Sequence, residues 1–335
     1  MDQIIAANYL STLEKCLEQF GINHFLEKIG IDPARVHDPN AYLSSNEFNN
    51  IVMEAYRLSQ CPQLGLVFGQ SLSIVNHGFL GYAAMSSPTF GAAIHTVLSY
   101  LNTRTSLLSL ELSQLNKENN AYVKLLPHTQ DVFLSRFITE LTITHLIKMR
   151  NFLVNCISPP LKIELNYAEP PYVEYYNAVF QSEIIFNADN TRIWFKAEEL
   201  DYPINFADDV SYQLAKTQLQ EIEKNLSLKE DLASKIKSIL INQNLNHASM
   251  EEIAGELCMT SRTLRRHLQR LEVTYQELLD EVREQKAKTF LLNNNISMTE
   301  ISFLLGFHDT SNFSKAFKRW TGITPTEYRE KHGIR

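Results

Sequence analysis

Arg262, Arg265, Arg266 and Gln269 are the residues whose types and spacing point most directly to chemistry. At 100° per residue they share one face of a helix whose opposite face carries Leu264, Leu268 and Leu271. Adding 49 to each number gives a second set of the same design. Its polar face is Ser311, Ser314, Lys315 and Lys318, and its apolar face is Phe313, Phe317 and Trp320. A guanidinium fork can grip guanine O6 and N7 together, and a lysine ammonium neutralises a phosphate. A single basic helix face is usually only solvated surface. Two in the same register, each behind a turn and a cap, predict nucleic-acid recognition.

The elements that must hold these faces are legible too. Ile253, Ala254 and Leu257 make a short amphipathic helix, followed by Cys258-Met259 and Thr260 as N-cap of the next helix. Ile301, Leu304 and Leu305 make another, followed by Gly306-Phe307-His308 and Asp309 as N-cap. A helix, a three- to four-residue turn and a second helix make a helix-turn-helix unit, whose second helix enters the major groove. Tyr275, Leu278, Leu279, Val282, Phe290 and Leu291 mark a long helix between the units. As a rigid connector it would set the two reading helices ~34 Å apart, about one turn of duplex. Double-stranded DNA is the expected partner.

From about Ile236 to Lys331 the sequence resembles the DNA-binding domain of the AraC/XylS family. The signature stands as Ile301, Gly306-Phe307, Phe313-Ser314, Phe317-Lys318-Arg319, Gly322-Ile323-Thr324-Pro325 and Tyr328-Arg329. The resemblance implies base reading by Arg262, Arg265 and Arg266 and by Thr310, Ser311 and Lys315, with Arg319 inside the signature. More weakly, Leu64–Leu125 resembles the N-terminal domain of regulators of the ornithine-utilisation type. Gly78-Phe79-Leu80-Gly81-Tyr82 and Ser86-Ser87-Pro88-Thr89 carry that likeness. That subfamily differs from the members with a cupin-type sugar-binding barrel.

The whole chain, 335 residues with a net charge of −7, looks wrong for a DNA binder. The split resolves this. Residues 1–234 carry 16 Lys+Arg and 26 Asp+Glu, giving −10, and residues 235–335 carry 15 and 12, giving +3. No run approaches ~20 apolar residues, and the N-terminus lacks a signal peptide's basic start, so a membrane span is not expected. Cys16, Cys61, Cys156 and Cys258 are far apart, which fits a reducing cytoplasm.

Before the basic region the texture is mixed. Ile4, Ile5, Tyr9, Leu10, Leu13, Leu17 and Phe20 recur at helical spacing and Gly21 stops the pattern. Ser44-Ser45 open a second helix with Phe48, Ile51, Val52 and Ala55. Ser86-Ser87-Pro88 read as a hydroxyl cap and first-turn proline. Ser106–Leu115 and Ala121–Leu126 read as strands around Lys117-Glu118-Asn119-Asn120, a long helix runs from about Val132 to Val154, and Leu161–Tyr167, Glu183–Phe186 and Thr191–Phe195 read as short strands. The fold expected is an α+β N-terminal sensor domain over 1–205, a helical linker over 206–234, and an all-α C-terminal domain over 235–335 with two helix-turn-helix units joined by a long helix.

Other chemistry is not visible. The ten histidines are scattered, and no H-E-x-x-H, G-x-S-x-G, P-loop or G-x-G-x-x-G occurs. No catalytic residue, metal or cofactor is expected, and no effector-binding residue can be assigned. Cys156 and Cys258 read as buried structural thiols, and His267 as a packing or capping residue. Tyr172, Tyr175, Tyr176 and Phe180 read either as core or as pocket lining. The function expected is a cytoplasmic, sequence-specific transcription regulator responding to a small organic effector held in a mostly apolar cavity. It would be a homodimer, with RNA polymerase a possible partner. Dimerisation is expected through the N-terminal part or the helix near Asp208–Leu228, to which Leu214, Leu219, Ile222 and Leu226 give an imperfect apolar face; the other reading of that stretch is a solvated linker helix. The alternatives are an N-terminal domain that only dimerises or meets a protein partner, and an enzyme fused to a DNA-binding module.

Overall fold

The computed structural model describes residues 4–113, 119–155, 158–243, 245, 248–271, 273–292 and 296–332. The chain divides into two compact units, up to residue 223 and from residue 224.

The first unit opens with strand β1 (Ile4–Ala6), helix α1 (Tyr9–Glu18), the short helices α2 (Phe25–Lys28) and α3 (Pro33–His37), and strand β2 (Tyr42–Ser44). Ile4 and Ile5 therefore do not extend α1 as their spacing suggested; β1 pairs antiparallel with β2, Ile5 opposite Leu43. Ser44 then starts α4 (Ser45–Ser59) with a capping box closed by Glu47. Helices α5 (Leu64–Ser71), α6 (Phe79–Ser86) and α7 (Phe90–Tyr100) follow, with a 3-10 turn at Ile74–His77 before α6. Ser86 and Ser87 do not cap α7. Their hydroxyls bond back to Tyr82 and Ala83 carbonyls at 2.7 and 2.8 Å, finishing α6. Thr89, after the proline, is the N-cap of α7.

Strands β3 (Leu108–Ser113) and β4 (Asn120–Pro127) lead to α8 (Val132–Val154), β5 (Lys162–Glu164), α9 (Val173–Phe180), β6 (Glu183–Ile185) and β7 (Thr191–Lys196). The turn expected between β3 and β4 falls partly outside the described residues. The five strands form one sheet in the order β3-β4-β7-β5-β6, antiparallel except for β5 with β6. Consecutive β6 and β7 thus do not pair, because β5 lies between them. One face alternates Ala121, Val123, Leu125, Ile193 and Phe195 into the core. The other carries a stacked polar layer, with Arg192 over Tyr122 at 5.1 Å, Lys162 over Trp194 at 4.8 Å, and Glu164 accepting from the Trp194 indole at 2.9 Å. Helix α8 runs through the middle of the unit, and its buried Phe137 stacks on Phe68.

Helix α10 (Asp209–Asn242) gives its first part to this unit and its second to the next. The apolar face read in its first half is split: Leu219 is buried with Ala215 against Leu80, Ala83 and Tyr100, while Leu214 is 64% exposed. The second unit continues with α11 (Met250–Glu256), α12 (Ser261–Arg270), α13 (Tyr275–Leu292), α14 (Met298–Leu304), α15 (Thr310–Thr321) and α16 (Pro325–His332). Its core is one cluster. Leu264, Leu268, Phe313 and Phe317, from the two apolar stripes, meet Ile236, Leu240, Leu279 and Val282 there.

Candidate DNA interface and effector cavity

Two helix pairs carry the expected DNA contacts. Thr260 caps α12, its hydroxyl accepting from the Thr263 amide at 3.2 Å, and the Asp309 carboxylate caps α15 by accepting from Asn312 at 2.7 Å. The turn between α11 and α12 is Leu257–Thr260; the turn between α14 and α15, Leu305–Asp309, is one residue longer. The recognition helices repeat at 49, but the leading helices repeat at 48, so that Ile253, Ala254 and Leu257 match Ile301, Ser302 and Leu305. In both turns the second residue is left-handed, Cys258 at φ 56° and Gly306 at φ 76°. Cys258 is accordingly exposed, not the buried thiol its sequence context suggested. Cys156 lies outside the described residues. A side chain at Gly306 would collide with the Leu245 carbonyl, its Cβ falling 2.5 Å from that oxygen.

The cations of this unit divide into two groups. Arg283 on α13 donates to the Leu305 and Gly306 carbonyls at 2.8 and 3.3 Å and lies over the Phe307 ring, so the connector clamps the second turn. Arg329 donates to the Ile296 carbonyl at 2.8 Å. Arg319 pairs with Asp280 at 2.7 Å, beside the Trp320 indole, which donates to the same carboxylate. Arg262, Arg265, Arg266, Lys315 and Lys318 are exposed, and none has an ion-pair partner among the described residues. Gln269 and Ser311 share their exposure, while Thr310 and Ser314 are half-buried at the edge of the same faces, as is His267. Charged donors left free in water, on helices held by a common core, suit a polyanion.

The first unit contains a partly open cavity of about 190 Å³. Leu80, Ala84, Ala93, Val97, Leu146 and Phe195 are among its wall residues, which come from α6, α7, α8 and the sheet. Tyr9, His77, Thr105, Thr142, His145 and Arg150 are the polar residues lining it, and among the described residues no Asp or Glu does. The Arg150 guanidinium is spoken for: it pairs with buried Glu199 at 2.6 Å and donates to the Ser158 carbonyl at 2.7 Å. His77 and His145 touch through their Nε2 atoms at 2.5 Å, and the Tyr9 hydroxyl meets His77 Nδ1 at 2.6 Å. Burial, helped by the neighbouring His145, holds His77 well below the usual imidazole range, and burial pushes His145 down to about 3. Both rings are therefore neutral at pH 7. Gly78 lets the chain leave His77 and enter α6 at once, with φ 56° and ψ −132°, a conformation closed to side chains.

Sequence reasoning missed this site. His77 and His145 are 68 residues apart on unrelated elements, and neither stands in a motif. The aromatic group offered as possible lining is elsewhere. Tyr172 and Tyr176 donate to the fully buried Glu140 carboxyl at 2.7 and 2.6 Å, and Phe180 packs beside them. Burial pushes Glu140 up to about 7.

A sensor-like α+β unit followed by paired helix-turn-helix units defines a two-part DNA-binding regulator, and comparison with known proteins gives its family. Residues 21–204 match the family model described as the arabinose-binding domain of AraC transcription regulator, and residues 253–331 match a helix-turn-helix domain model. The chain is 30% identical over 330 residues to the ornithine utilization regulator of Pseudomonas aeruginosa, covering 98% of this chain and 97% of that one. It is 22% identical over 317 residues to the regulator VirS of Mycobacterium tuberculosis, covering 92% and 91%. The crystal structure of the regulator CdpR from P. aeruginosa superposes with a TM-score of 0.46 at 19% identity, covering 94% and 97%. The chain belongs to the AraC family of DNA-binding transcription regulators. Among the described residues no helix is long and apolar enough to cross a membrane.

Proposed function

We propose that this regulator changes its grip on an operator when a small organic effector occupies the N-terminal cavity. The observation that carries this reading is the cavity itself: a largely apolar space within a unit whose family model is named for ligand binding. The α10 helix, which joins that unit's Leu80–Tyr100 cluster to the DNA-binding half, is the element through which occupancy would be felt.

In this reading Arg262, Arg265, Arg266 and Gln269 meet the first major-groove segment. Thr310, Ser311, Ser314, Lys315, Lys318 and Arg319 meet the second. The sensing part is assigned to 1–205, the linker to 206–234 and the reading part to 235–335. The protein acts in the cytoplasm as a homodimer, with RNA polymerase as a further partner. Val210 and Leu214, exposed at 69% and 64% near the start of α10, support a dimer contact there.

The names of relatives suggest two effectors, and neither suits this wall. A pentose carries hydroxyls that each need a partner once buried, and the wall is dominated by Leu, Ile, Val, Phe and Ala. A diamino acid such as ornithine would bring buried ammonium groups to a wall without a carboxylate. The test is binding of the full chain to operator DNA, selected from genomic fragments, with and without extracts of small metabolites. An affinity shift abolished by filling the cavity with Ala93→Phe supports the reading. Identical DNA binding with every extract overturns it.

A further inference from the structure

We propose that the cavity takes an uncharged, single-ring aromatic molecule with one hydroxyl or carbonyl group, and that the Tyr9–His77–His145 relay receives that group. This rests on the effector reading above and names its ligand class. Size comes first. A cavity of about 190 Å³ is somewhat larger than the roughly 150 Å³ apolar cavity that takes up benzene. It has room for a ring with one or two small substituents.

Charge comes second. No acidic residue lines the cavity, and Arg150 is consumed by Glu199 and the Ser158 carbonyl. Lys148, near His145, is turned to the Gln70 and Leu72 carbonyls. Arg104 lies over the Tyr9 ring but off the wall, and it donates to the Asn8 side-chain oxygen and the Asn76 carbonyl. A charged ligand would be desolvated with no free opposite charge on the wall, which costs far more than an apolar contact returns.

Polarity comes third. A neutral imidazole has one donor and one acceptor. With His77 Nε2 against His145 Nε2 and Tyr9 on His77 Nδ1, protons align in one of two senses. Either Tyr9 donates to His77 and His77 to His145, or the whole row reverses. His145 thus ends the row as donor or acceptor, and its Nδ1 is buried without a hydrogen-bond partner of proper geometry, although the Gly69 carbonyl acts on the ring. The Gly69 carbonyl favours the sense in which His145 Nδ1 carries the proton, so the row ends in a donor, which the oxygen of a hydroxyl or a carbonyl can accept. It also ties α1, the Ile74–His77 turn and α8 together directly ahead of Gly78 and α6. A ligand group inserted at the relay therefore acts on the helix that packs against α10.

The test uses the full chain and calorimetry with four probes: 4-methylphenol, toluene, benzoate and lysine. The expectation is that 4-methylphenol binds most tightly, toluene next, and the two charged probes not measurably. His145→Phe should weaken 4-methylphenol about five- to tenfold, the loss of one buried hydrogen bond, and leave toluene within twofold. Tyr9→Phe, a gentler change, should shift 4-methylphenol in the same direction by less. Ala93→Phe should abolish both neutral probes while the melting transition is retained. Binding of benzoate or lysine in preference to the neutral probes overturns the ligand class. Equal loss of 4-methylphenol and toluene in His145→Phe overturns the relay as the anchor. DNA affinity read on the same samples separates the two levels. Neutral probes that bind without altering DNA affinity leave the ligand class standing and defeat the effector reading. DNA affinity that responds to lysine or benzoate alone does the reverse.

Discussion

The two units handle charge in opposite ways. In the DNA-binding unit the half-buried Arg283, Lys286 and Arg329 are spent on backbone carbonyls, and the half-buried Lys237 and Lys288 on Glu281 and Glu284. Five others, from Arg262 to Lys318, stay in water without an ion-pair partner among the described residues. In the N-terminal unit the cavity is inside, and charge on its wall is muted: Arg150 pairs with Glu199, and burial keeps the two histidines neutral. A polyanion is recognised by charge left exposed, because counterion release needs cations that no acid has already claimed. A small uncharged molecule is recognised by shape, and its site works only where charge has been taken off the wall. The cores differ as well: the reading helices rest on packed side chains, aliphatic behind α12 and aromatic behind α15, while the sheet borders a cavity.

The largest test of that contrast is truncation on each side. Phe317, fully buried between the stripes, should cost ~3–5 kcal/mol as Phe317→Ala, whereas Val97→Ala on the cavity wall should cost ~1 kcal/mol, because the void already removes part of its contacts. Urea titration of each full-length variant measures both. Comparable losses would mean that the cavity collapses into a packed core in solution.

The next test concerns Glu140, a buried acid at the hub of Tyr172 and Tyr176, with Tyr56, Tyr167 and Arg136 around it. Its pKa rises from 4.5 to about 7 on folding. The folded state then holds a proton that the unfolded state has released, so this group's contribution is intact below about pH 4.5 and lost as pH rises through about 7. The linked cost above pH 7 is about 3 kcal/mol. His77 and His145 act the other way, their contribution being present above pH 6.5 and lost on acidification. The two slopes oppose each other in the native protein. Glu140→Gln should remove only the first, so the variant gains stability relative to wild type between pH 5 and 8. A difference that is flat with pH would show that Glu140 is ionised in the fold.

Smaller in energy, but nearer to function, is base reading. Arg262→Ala and Arg266→Ala should each flatten preference at particular base pairs, by ~1–3 kcal/mol of discrimination, in selection from a randomised operator library. Loss of affinity without any change in preference would turn these arginines into backbone clamps.

This divide also governs what the sequence could reveal. The reading helices were legible because a surface function on a helix is written in local order. Arg262, Arg265 and Arg266 share a face by spacing alone, and Thr260 and Asp309 announce where each helix begins. The same local logic found α8 and most of the strands. It failed where long-range pairing overrode spacing, as at Ile4 and Ile5, which β2 recruits into a ladder. It failed again where a hydroxyl had two neighbours to serve, as at Ser86 and Ser87. The cavity was invisible for a deeper reason. Its wall is assembled from residues between Ile5 and Phe195, each an ordinary core residue in its own segment. A void has no residue type of its own, and the His77–His145 contact spans 68 positions with no motif at either end.

The finest test separates two adjacent cations on α15. Lys318 is exposed and without an ion-pair partner among the described residues, whereas Arg319, 68% exposed, has Asp280 at 2.7 Å. A free lysine near the groove clamps one phosphate and releases its counterion, so Lys318→Ala should weaken all sequences alike and reduce the salt slope by about one. Between 50 and 200 mM salt, wild type should then lose about 3.5-fold more affinity than the variant, the value a slope change of about 0.9 gives for a fourfold rise in salt. Arg319 begins already neutralised. Its transfer to a phosphate would strip Asp280 of its partner, so Arg319→Ala should move the slope by clearly less than Lys318→Ala. Filter binding of both variants to one operator and one scrambled duplex at four salt concentrations checks the order. If Lys318→Ala erased preference at a single base pair, α15 would read sequence with its lysines, and the division of labour between α12 and α15 would fall. If Arg319→Ala gave the larger slope change, the Asp280 pair would have to open on DNA, and exposure without a partner would no longer mark the DNA-facing cations.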